Sequence, residues 1–206
     1  PRLRLQAEMV RDQALVLSGL LVEKLGGPSV KTYQPAGLWE EVEKRGKFKR
    51  GNGEDLYRRS LYTNIRRTVA PPSMLLFDLP SREVCTVQRA STNTPLQALA
   101  LLNEVTYVEA AKKFGERIMA RGGEAFERIS WAFRLATQRA PGREELEILV
   151  KGYERRLLRY RAEPKDAAAL LSRGESKVSG DHDPAELAAM TTVASVLLNL
   201  DEVINK

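Results

Sequence analysis

Two acidic side chains and one arginine share a face of the first predicted helix. Glu8, Arg11 and Asp12 stand at positions i, i+3 and i+4, a spacing that brings side chains together on a helix surface. Two carboxylates around an arginine could bind a cation or carry out acid–base chemistry. The same arrangement suits arginine–carboxylate bonds that tie a helix to a neighbouring loop, and the apolar neighbours Met9 and Val10 favour this structural role.

A basic segment occupies the middle of the chain. Between Trp39 and Thr68, nine basic side chains face five acidic ones. The basic residues are Lys44, Arg45, Lys47, Lys49, Arg50, Arg58, Arg59, Arg66 and Arg67. Such a segment, taken as residues 44–67, could bind a polyanion, for which an anionic polysaccharide fits better than nucleic acid. A solvated loop with a few structural arginines is the alternative, and the modest net charge of +6 for the whole chain favours it.

Further polar residues lie near an extended stretch between residues 78 and 97. An enzyme or ligand-binding domain is one hypothesis for this protein, and it would need a polar site drawn from several segments. The candidate residues are Glu8, Arg11, Asp12, Arg58, Arg59, Asp78, Asn93 and Gln97. This hypothesis predicts a pocket in which these side chains meet and in which the carboxyl pKa values are shifted.

The counts of cysteine and histidine exclude several classes of site. Cys85 and His182 are the single members of their types, so an intramolecular disulfide, a zinc ribbon and a Cys-x-x-Cys-His haem attachment are ruled out. No Gly-x-Ser-x-Gly elbow and no glycine-rich phosphate loop occurs. We therefore expect no metal, no haem and no other cofactor in this chain. We expect Cys85 to be a packed thiol rather than a nucleophile.

Apolar spacing predicts a helix from about Leu5 to Leu25, which Gly26-Gly27-Pro28 would end. The next segment, to about Leu56, has little periodicity and is rich in glycine, which predicts a long irregular stretch. Residues 57–68 contain β-branched and aromatic side chains that favour a strand, although Leu61 and Ile65, four residues apart, also allow a helix. Residues 84–89 alternate and could pair with that strand as one small β-hairpin.

The second half of the chain carries repeated signals of helix starts. Thr94-Pro95-Leu96-Gln97 predicts a capped helix N-terminus, and Asn103 is placed to cap the following helix. Further helices are predicted over 124–137 and 144–161 and after Asp183. The predicted fold is therefore mainly α, a helical bundle-like domain with a long irregular segment.

Composition fits an ordinary globular protein. The chain has 206 residues, of which 43% are hydrophobic and 29% charged, close to the average for soluble domains. No apolar run reaches the roughly 18–20 residues of a membrane helix. The chain starts at Pro1 without a targeting segment, so we expect either a processed N-terminus or a part of a longer protein.

Several stretches of the chain, taken together, resemble a bacterial family. They include Leu5-Gln6-Ala7-Glu8-Met9-Val10-Arg11-Asp12, Gln34-Pro35-Ala36-Gly37-Leu38-Trp39, Tyr57-Arg58-Arg59-Ser60-Leu61-Tyr62, Phe77-Asp78-Leu79-Pro80 and Thr92-Asn93-Thr94-Pro95-Leu96-Gln97-Ala98-Leu99. Shorter matches occur at Leu102-Asn103 and at Leu198-Asn199-Leu200-Asp201-Glu202. The chain resembles the domain of unknown function 1553, which is typical of planctomycetes.

The resemblance implies a setting but no reaction. Family members are large exported proteins in which this domain follows a cytochrome-c-like module and a second uncharacterised domain. The resemblance therefore implies that residues 1–206 form one C-terminal domain, with 1–90 and 91–206 as its sub-parts, in the periplasm or cell envelope. Any haem would belong to the upstream module. Our leading expectation is a helical scaffold or interaction module, without catalysis by the isolated chain.

Overall fold

The first helix is shorter than its apolar spacing predicts. In the computed structural model, which describes residues 3–39 and 48–205, α1 covers Ala7–Ser18. It ends because Gly19 takes a left-handed conformation with φ of 76°, which glycine adopts without strain. The N–H groups of Leu20 and Leu21 then turn back to the Leu15 carbonyl. The predicted extension to Leu25 is therefore wrong.

The helices predicted after Thr94, Asn103 and Asp183 and over 124–137 and 144–161 are present, those at Pro72–Leu76, Pro164–Leu171 and Asp201–Ile204 were not predicted, and the mainly-α class is confirmed. Within the described ranges the helices after α1 are α2 (Pro72–Leu76), α3 (Pro95–Asn103), α4 (Val105–Met119), α5 (Ala125–Thr137), α6 (Arg143–Ala162), α7 (Pro164–Leu171), α8 (Pro184–Leu198) and α9 (Asp201–Ile204). The capping box at the start of α3 is confirmed, because the Thr94 N–H donates to Gln97 Oε1 at 3.2 Å. Asp183 caps α8 by accepting from the Ala185 N–H at 3.0 Å.

The cap of α4 differs from the prediction by one residue. Asn103 ends α3, where its side chain donates to the Leu99 carbonyl at 2.9 Å. Glu104 is the N-cap of α4 instead, and its Oε2 accepts from the Thr106 N–H at 2.9 Å. The helix start predicted at Asn103 is thus displaced because that asparagine bonds back into its own helix.

Helix α4 forms the centre of the core. It is buried on most sides and packs between α1 and α8. Gly115 permits the close approach of α8, since a Cβ there would lie 3.1 Å from the backbone nitrogen of Thr191. The core contains Val10 of α1 and Met74 of α2 together with residues of α4, α5, α6 and α8. The predicted sub-parts 1–90 and 91–206 therefore share one core, while the placement at the end of a longer protein stays a prediction.

The long irregular segment is held by isolated backbone bridges rather than by a sheet. Val22 pairs with Arg58 and Val30 pairs with Thr63, both in parallel orientation. The predicted strand over 57–68 is wrong, because Ser60–Tyr62 form a 3₁₀ turn and the backbone on either side pairs with residues 22 and 30. Residues 84–89 form no hairpin, and residues 84–88 are exposed.

The two ends of the described chain meet. Arg4 and Asn205 form an antiparallel bridge, and the Leu5 N–H donates to the Ile204 carbonyl at 2.9 Å. None of the helices in the described part combines the length and the apolar character that crossing a membrane requires. Three basic residues of the predicted 44–67 region, Lys44, Arg45 and Lys47, lie outside the described residues.

Candidate functional site

Arg11 binds the loop that follows the irregular segment. Its buried guanidinium donates to the Leu56 carbonyl at 2.6 Å, the Arg58 carbonyl at 2.9 Å and Ser60 Oγ at 3.1 Å. Burial lowers the pKa of Arg11, and the neighbouring Asp12 carboxylate partly opposes that shift. Asp12 accepts from the Ser60 N–H at 2.7 Å. Arg11 and Asp12 therefore fasten α1 to residues 56–60.

Arg58 fastens a different loop. Its guanidinium donates to the carbonyls of Lys24 at 2.9 Å and Pro28 at 3.0 Å, and it lies over the Tyr62 ring with 3.8 Å to the centroid. Arg59 points outward, with its Nε 3.7 Å from Asp12 Oδ2. The two arginines are adjacent in sequence, but they hold different parts of the chain.

Asp78 and Gln97 lie at the base of an exposed loop. The Asp78 carboxylate accepts from the Thr92 N–H at 2.8 Å and from the Thr92 hydroxyl at 3.0 Å, and it pairs with Arg4. Gln97 Nε2 donates to Thr92 Oγ1 at 3.1 Å and to the Leu76 carbonyl at 2.7 Å. These contacts join the two ends of the segment that we call the 79–91 loop.

The structure divides the eight predicted site residues into separate groups. Arg11, Asp12, Arg58 and Arg59 hold loops around α1, whereas Asp78 and Gln97 tie the 79–91 loop. Glu8 pairs with Arg89 of the 79–91 loop at 2.8 Å, and Asn93 is exposed. None of the eight lines the apolar cleft between α2, α3 and residues 33–35.

The 79–91 loop presents apolar side chains to solvent. Arg89 bonds to Glu8 and gives the loop a second attachment besides the Asp78–Thr92 contact. Val84 and Val87 are exposed, Val87 completely. Cys85 between them is an exposed free thiol, so the expected packing of this thiol is wrong. Compact loops with joined ends are frequent sites of function.

An apolar cleft of about 260 Å³ lies between α2, α3 and residues 33–35. In sequence, the 79–91 loop connects α2 and α3. The residues that line the cleft are Tyr33, Pro35, Pro72, Ser73, Leu76, Leu96, Leu99, Ala100, Asn103 and Glu104. Three leucines of α3 are partly exposed at or beside this cleft. The exposed fractions of their side chains are 53% for Leu96, 54% for Leu99 and 43% for Leu102. Their spacing of three residues places them along one side of this helix.

Two ionisable groups at the cleft have shifted pKa values. Burial raises the pKa of Glu104, against the hydrogen bonds from Thr106 and the charge of Arg11. Burial and the nearby Glu109 carboxylate raise the pKa of Tyr33. The Glu104 carboxyl and the Tyr33 hydroxyl are therefore held in surroundings of low polarity, where Thr106 and the Glu175 N–H bond to them.

A second polar centre lies on α4, where Glu109 and Lys112 bind the segment 171–176. Glu109 Oε1 accepts from the Tyr57 hydroxyl at 2.9 Å and from the Ser176 N–H at 2.5 Å. Lys112 Nζ donates to the carbonyls of Leu171 at 3.2 Å, Arg173 at 2.7 Å and Ser176 at 2.6 Å. Both side chains are buried. Within residues 3–39 and 48–205, no three potential ligands among His, Cys, Asp and Glu come together as a metal site would require.

Comparison with protein families gives a match over residues 1–153 to PSD1, described as a protein of unknown function (DUF1553). The chain belongs to the PSD1 family. Neither a curated protein nor a solved structure matches it. The matched range of this PSD1 chain includes the cleft, α3, the 79–91 loop and the buried pair Glu109 and Lys112.

Sequence reasoning missed the residues that form the cleft and the buried centre of this PSD1 chain. Glu109, Lys112 and Glu116 stand at i, i+3 and i+7 with alternating charge, and this spacing could have indicated a charged face on a helix that is otherwise apolar. Tyr33 and Glu104 carry no comparable local signal, because the cleft joins segments that are distant along the chain.

We predict that Asp78→Asn destabilises the PSD1 chain by about 1.5 kcal/mol at neutral pH, because hydrogen bonds to an ionised acceptor are stronger than those to an amide. Asparagine also tolerates the positive φ of 59° at this position. Burial alone would raise the pKa of Asp78, but the hydrogen bonds from Thr92 and Arg4 lower it below its ordinary value.

The pH dependence of this difference follows from the direction of the pKa shift. A lowered folded-state pKa gives stability above the unfolded pKa of about 4, and this stability is lost as the pH falls through the folded value. Urea unfolding of both proteins between neutral pH and about pH 3 should therefore show the difference shrinking toward zero. Asp181→Asn, at an exposed loop aspartate, is the control. A difference independent of pH would contradict the role of the Asp78 charge.

Proposed function

We propose that this chain is a protein-interaction module of a larger exported bacterial protein that also carries a cytochrome-c-like module. Its docking surface consists of the apolar cleft and the exposed leucines of α3. The partner is an apolar segment of another module of the same polypeptide. The observation that carries the proposal is the row Leu96, Leu99 and Leu102, exposed beside an apolar cleft.

The apolar character of this surface supports a protein partner. Single exposed leucines are common, but several on one side of a short helix beside a cleft form the kind of patch that marks interaction sites. Val84 and Val87 are also exposed, on a loop whose ends are fixed by Asp78 and Thr92. A tied loop loses little conformational entropy when it binds.

The size of the cleft supports insertion of side chains rather than capture of a large free ligand. Its volume of about 260 Å³ lies just below the usual range for small-molecule pockets, about 300–1,000 Å³. One or two apolar side chains of a partner segment would fit, as they do when a helix lies in a groove.

The choice of another module of the same polypeptide rests on the family resemblance. The domain of unknown function 1553 follows a cytochrome-c-like module and a further domain in exported proteins, and an apolar surface on either would meet this chain at high effective concentration. The same resemblance supports a periplasmic or cell-envelope location.

The alternative functions have less support from the geometry. A polar catalytic site would use Arg11 and Asp12, whose hydrogen-bonding groups bind the 56–60 loop. Polyanion binding through residues 44–67 would use Arg50 and Arg58, of which the first pairs with Glu175 at 3.0 Å and the second is buried.

We predict that Leu99→Asp weakens docking at least about tenfold, equivalent to about 1.4 kcal/mol. The charge would sit at the cleft, where the wild-type leucine offers an apolar contact. The measurement is calorimetric titration of this chain with the separately expressed upstream modules of the parent protein.

Leu158→Asp is the matched control, since Leu158 is 71% exposed on α6 and does not line the cleft. It should bind as the wild type does. Equal affinities of the Leu99 and Leu158 variants, or no binding by the wild-type chain, would contradict the proposal. Self-association through α3, detected by sedimentation and abolished by Leu99→Asp, would assign the surface to a second copy instead.

A further inference from the structure

We propose that a groove along α5 binds a small organic anion, namely an aromatic ring that carries a phosphate, sulfate or carboxylate group. The groove has a volume of about 750 Å³, which is within the usual range for small-molecule sites. It shares no lining residue with the apolar cleft, so this proposal is independent of the docking proposal.

One face of α5 forms the floor of the groove. Glu127, Ser130, Trp131 and Arg134 stand at i, i+3, i+4 and i+7 and line it together. At 1.5 Å per residue this face is about 10 Å long. Arg121, Gly122 and Gly123 in the turn before α5 line a second side, and Leu146 of α6 lines a third. A groove of this length accommodates a ring with its anionic substituent.

Two arginines of the groove are available to an anion. Arg121 and Arg134 are exposed, and neither guanidinium has a hydrogen bond or ion pair to the part of the protein that the structure describes. Arg11 and Arg58, in contrast, bind backbone carbonyls, and Arg50 binds the Glu175 carboxylate. A guanidinium offers paired N–H donors that match phosphate, sulfate and carboxylate oxygens.

Aromatic side chains position one arginine and offer a surface for a ring. The Arg121 guanidinium lies over the Trp131 ring, 5.3 Å from its centroid. Arg117 lies 5.8 Å from the same centroid and donates to the Leu17 carbonyl at 3.0 Å. Phe126 is half-exposed in the groove and can stack with an aromatic ligand.

The acidic residue of the groove limits where the anion can sit. Glu127 Oε2 accepts from the Glu124 N–H at 3.1 Å, at the N-terminal end of α5. Arg134 lies two turns further along the same face. Because the Arg121 guanidinium lies over Trp131, one turn before Arg134, the anionic group belongs at the Arg134 end of the groove and the ring lies toward Phe126.

The test is quenching of tryptophan fluorescence by 4-nitrophenyl phosphate, 4-nitrophenyl sulfate and 4-nitrobenzoate, with calorimetry for the dissociation constants. Trp131 lies in the groove and reports occupancy. The probe that binds most tightly identifies the anion. Inorganic phosphate lacks the ring and 4-nitroanisole lacks the charge, so both should bind at least about tenfold more weakly, and the affinity of the charged probes should fall with salt.

Arg121→Gln and Arg134→Gln should each raise the dissociation constant about tenfold, and Phe126→Ala should raise it about threefold. Arg67→Gln is the matched control, because Arg67 is exposed and does not line the groove. It should bind as the wild type does, and circular dichroism would show that the variants are folded. No binding by any charged probe, equal binding of inorganic phosphate, or unchanged affinity in both groove variants would overturn the proposal.

Discussion

Lys112→Met should lower the free energy of unfolding by about 3 kcal/mol. The lysine ammonium donates hydrogen bonds to the carbonyls of Leu171, Arg173 and Ser176. Methionine has a similar length and no donor, so it would leave these acceptors without their partner, and each buried unsatisfied group costs about 1–3 kcal/mol. Burial lowers the pKa of Lys112, so removal of the desolvated charge offsets part of this loss.

Urea unfolding followed by circular dichroism measures this change. Lys151→Met is the control, because Lys151 is exposed on α6. Its effect should stay within about 0.5 kcal/mol, as for most surface substitutions. Loss of less than about 1 kcal/mol in Lys112→Met would show that water replaces the ammonium at the three carbonyls and that the 171–176 segment needs no such anchor.

Arg11→Met should also destabilise the protein by about 3 kcal/mol. The substitution removes the donors to the Leu56 and Arg58 carbonyls and to Ser60 Oγ, so the 56–60 loop loses its attachment to α1. Arg11→Lys should lose less, about 2 kcal/mol, because an ammonium reaches one or two of these acceptors but lacks the planar fork. The melting temperature and the urea midpoint measure both variants.

This second prediction also separates the two interpretations of the Glu8, Arg11 and Asp12 pattern. Replacing a residue whose role is to bind a ligand leaves the free energy of unfolding unchanged or raises it. Replacing a residue that holds the fold together lowers it. Arg143→Met, at an exposed arginine of α6, is the control and should have little effect. An unchanged free energy of unfolding in Arg11→Met would instead support a ligand-binding role for Arg11.

The parts of the fold that could be predicted have local causes. The start of α3 depends on Thr94 and Gln97, which are three residues apart, and the start of α8 depends on Asp183. The strand predicted over 57–68 is wrong because its conformation depends on distant groups. Arg11, forty-five residues before Leu56, binds the Leu56 carbonyl. Val22 pairs with Arg58, and Val30 pairs with Thr63. Tertiary contacts of this kind override β-propensity.

The candidate surface depends still more on contacts between distant segments. The cleft joins Tyr33, Pro72 and Leu96, and no spacing within one element brings these together. The polar residues singled out from the sequence were the right type for a site, but Arg11 and Arg58 are directed toward carbonyls instead. Exposure of the α3 leucines could not be predicted either, because an apolar helix is ordinarily expected to be buried.

The bridge between Arg4 and Asn205 has a consequence for rearrangement of the fold. Because Arg4 and Leu5 lie beside Asn205 and Ile204, a short peptide could connect these two segments without crossing the core. Folds with adjacent ends tolerate insertion into a loop of another protein as a complete unit. Circular permutation with new termini outside residues 33–104 would therefore leave the cleft, α3 and the 79–91 loop intact.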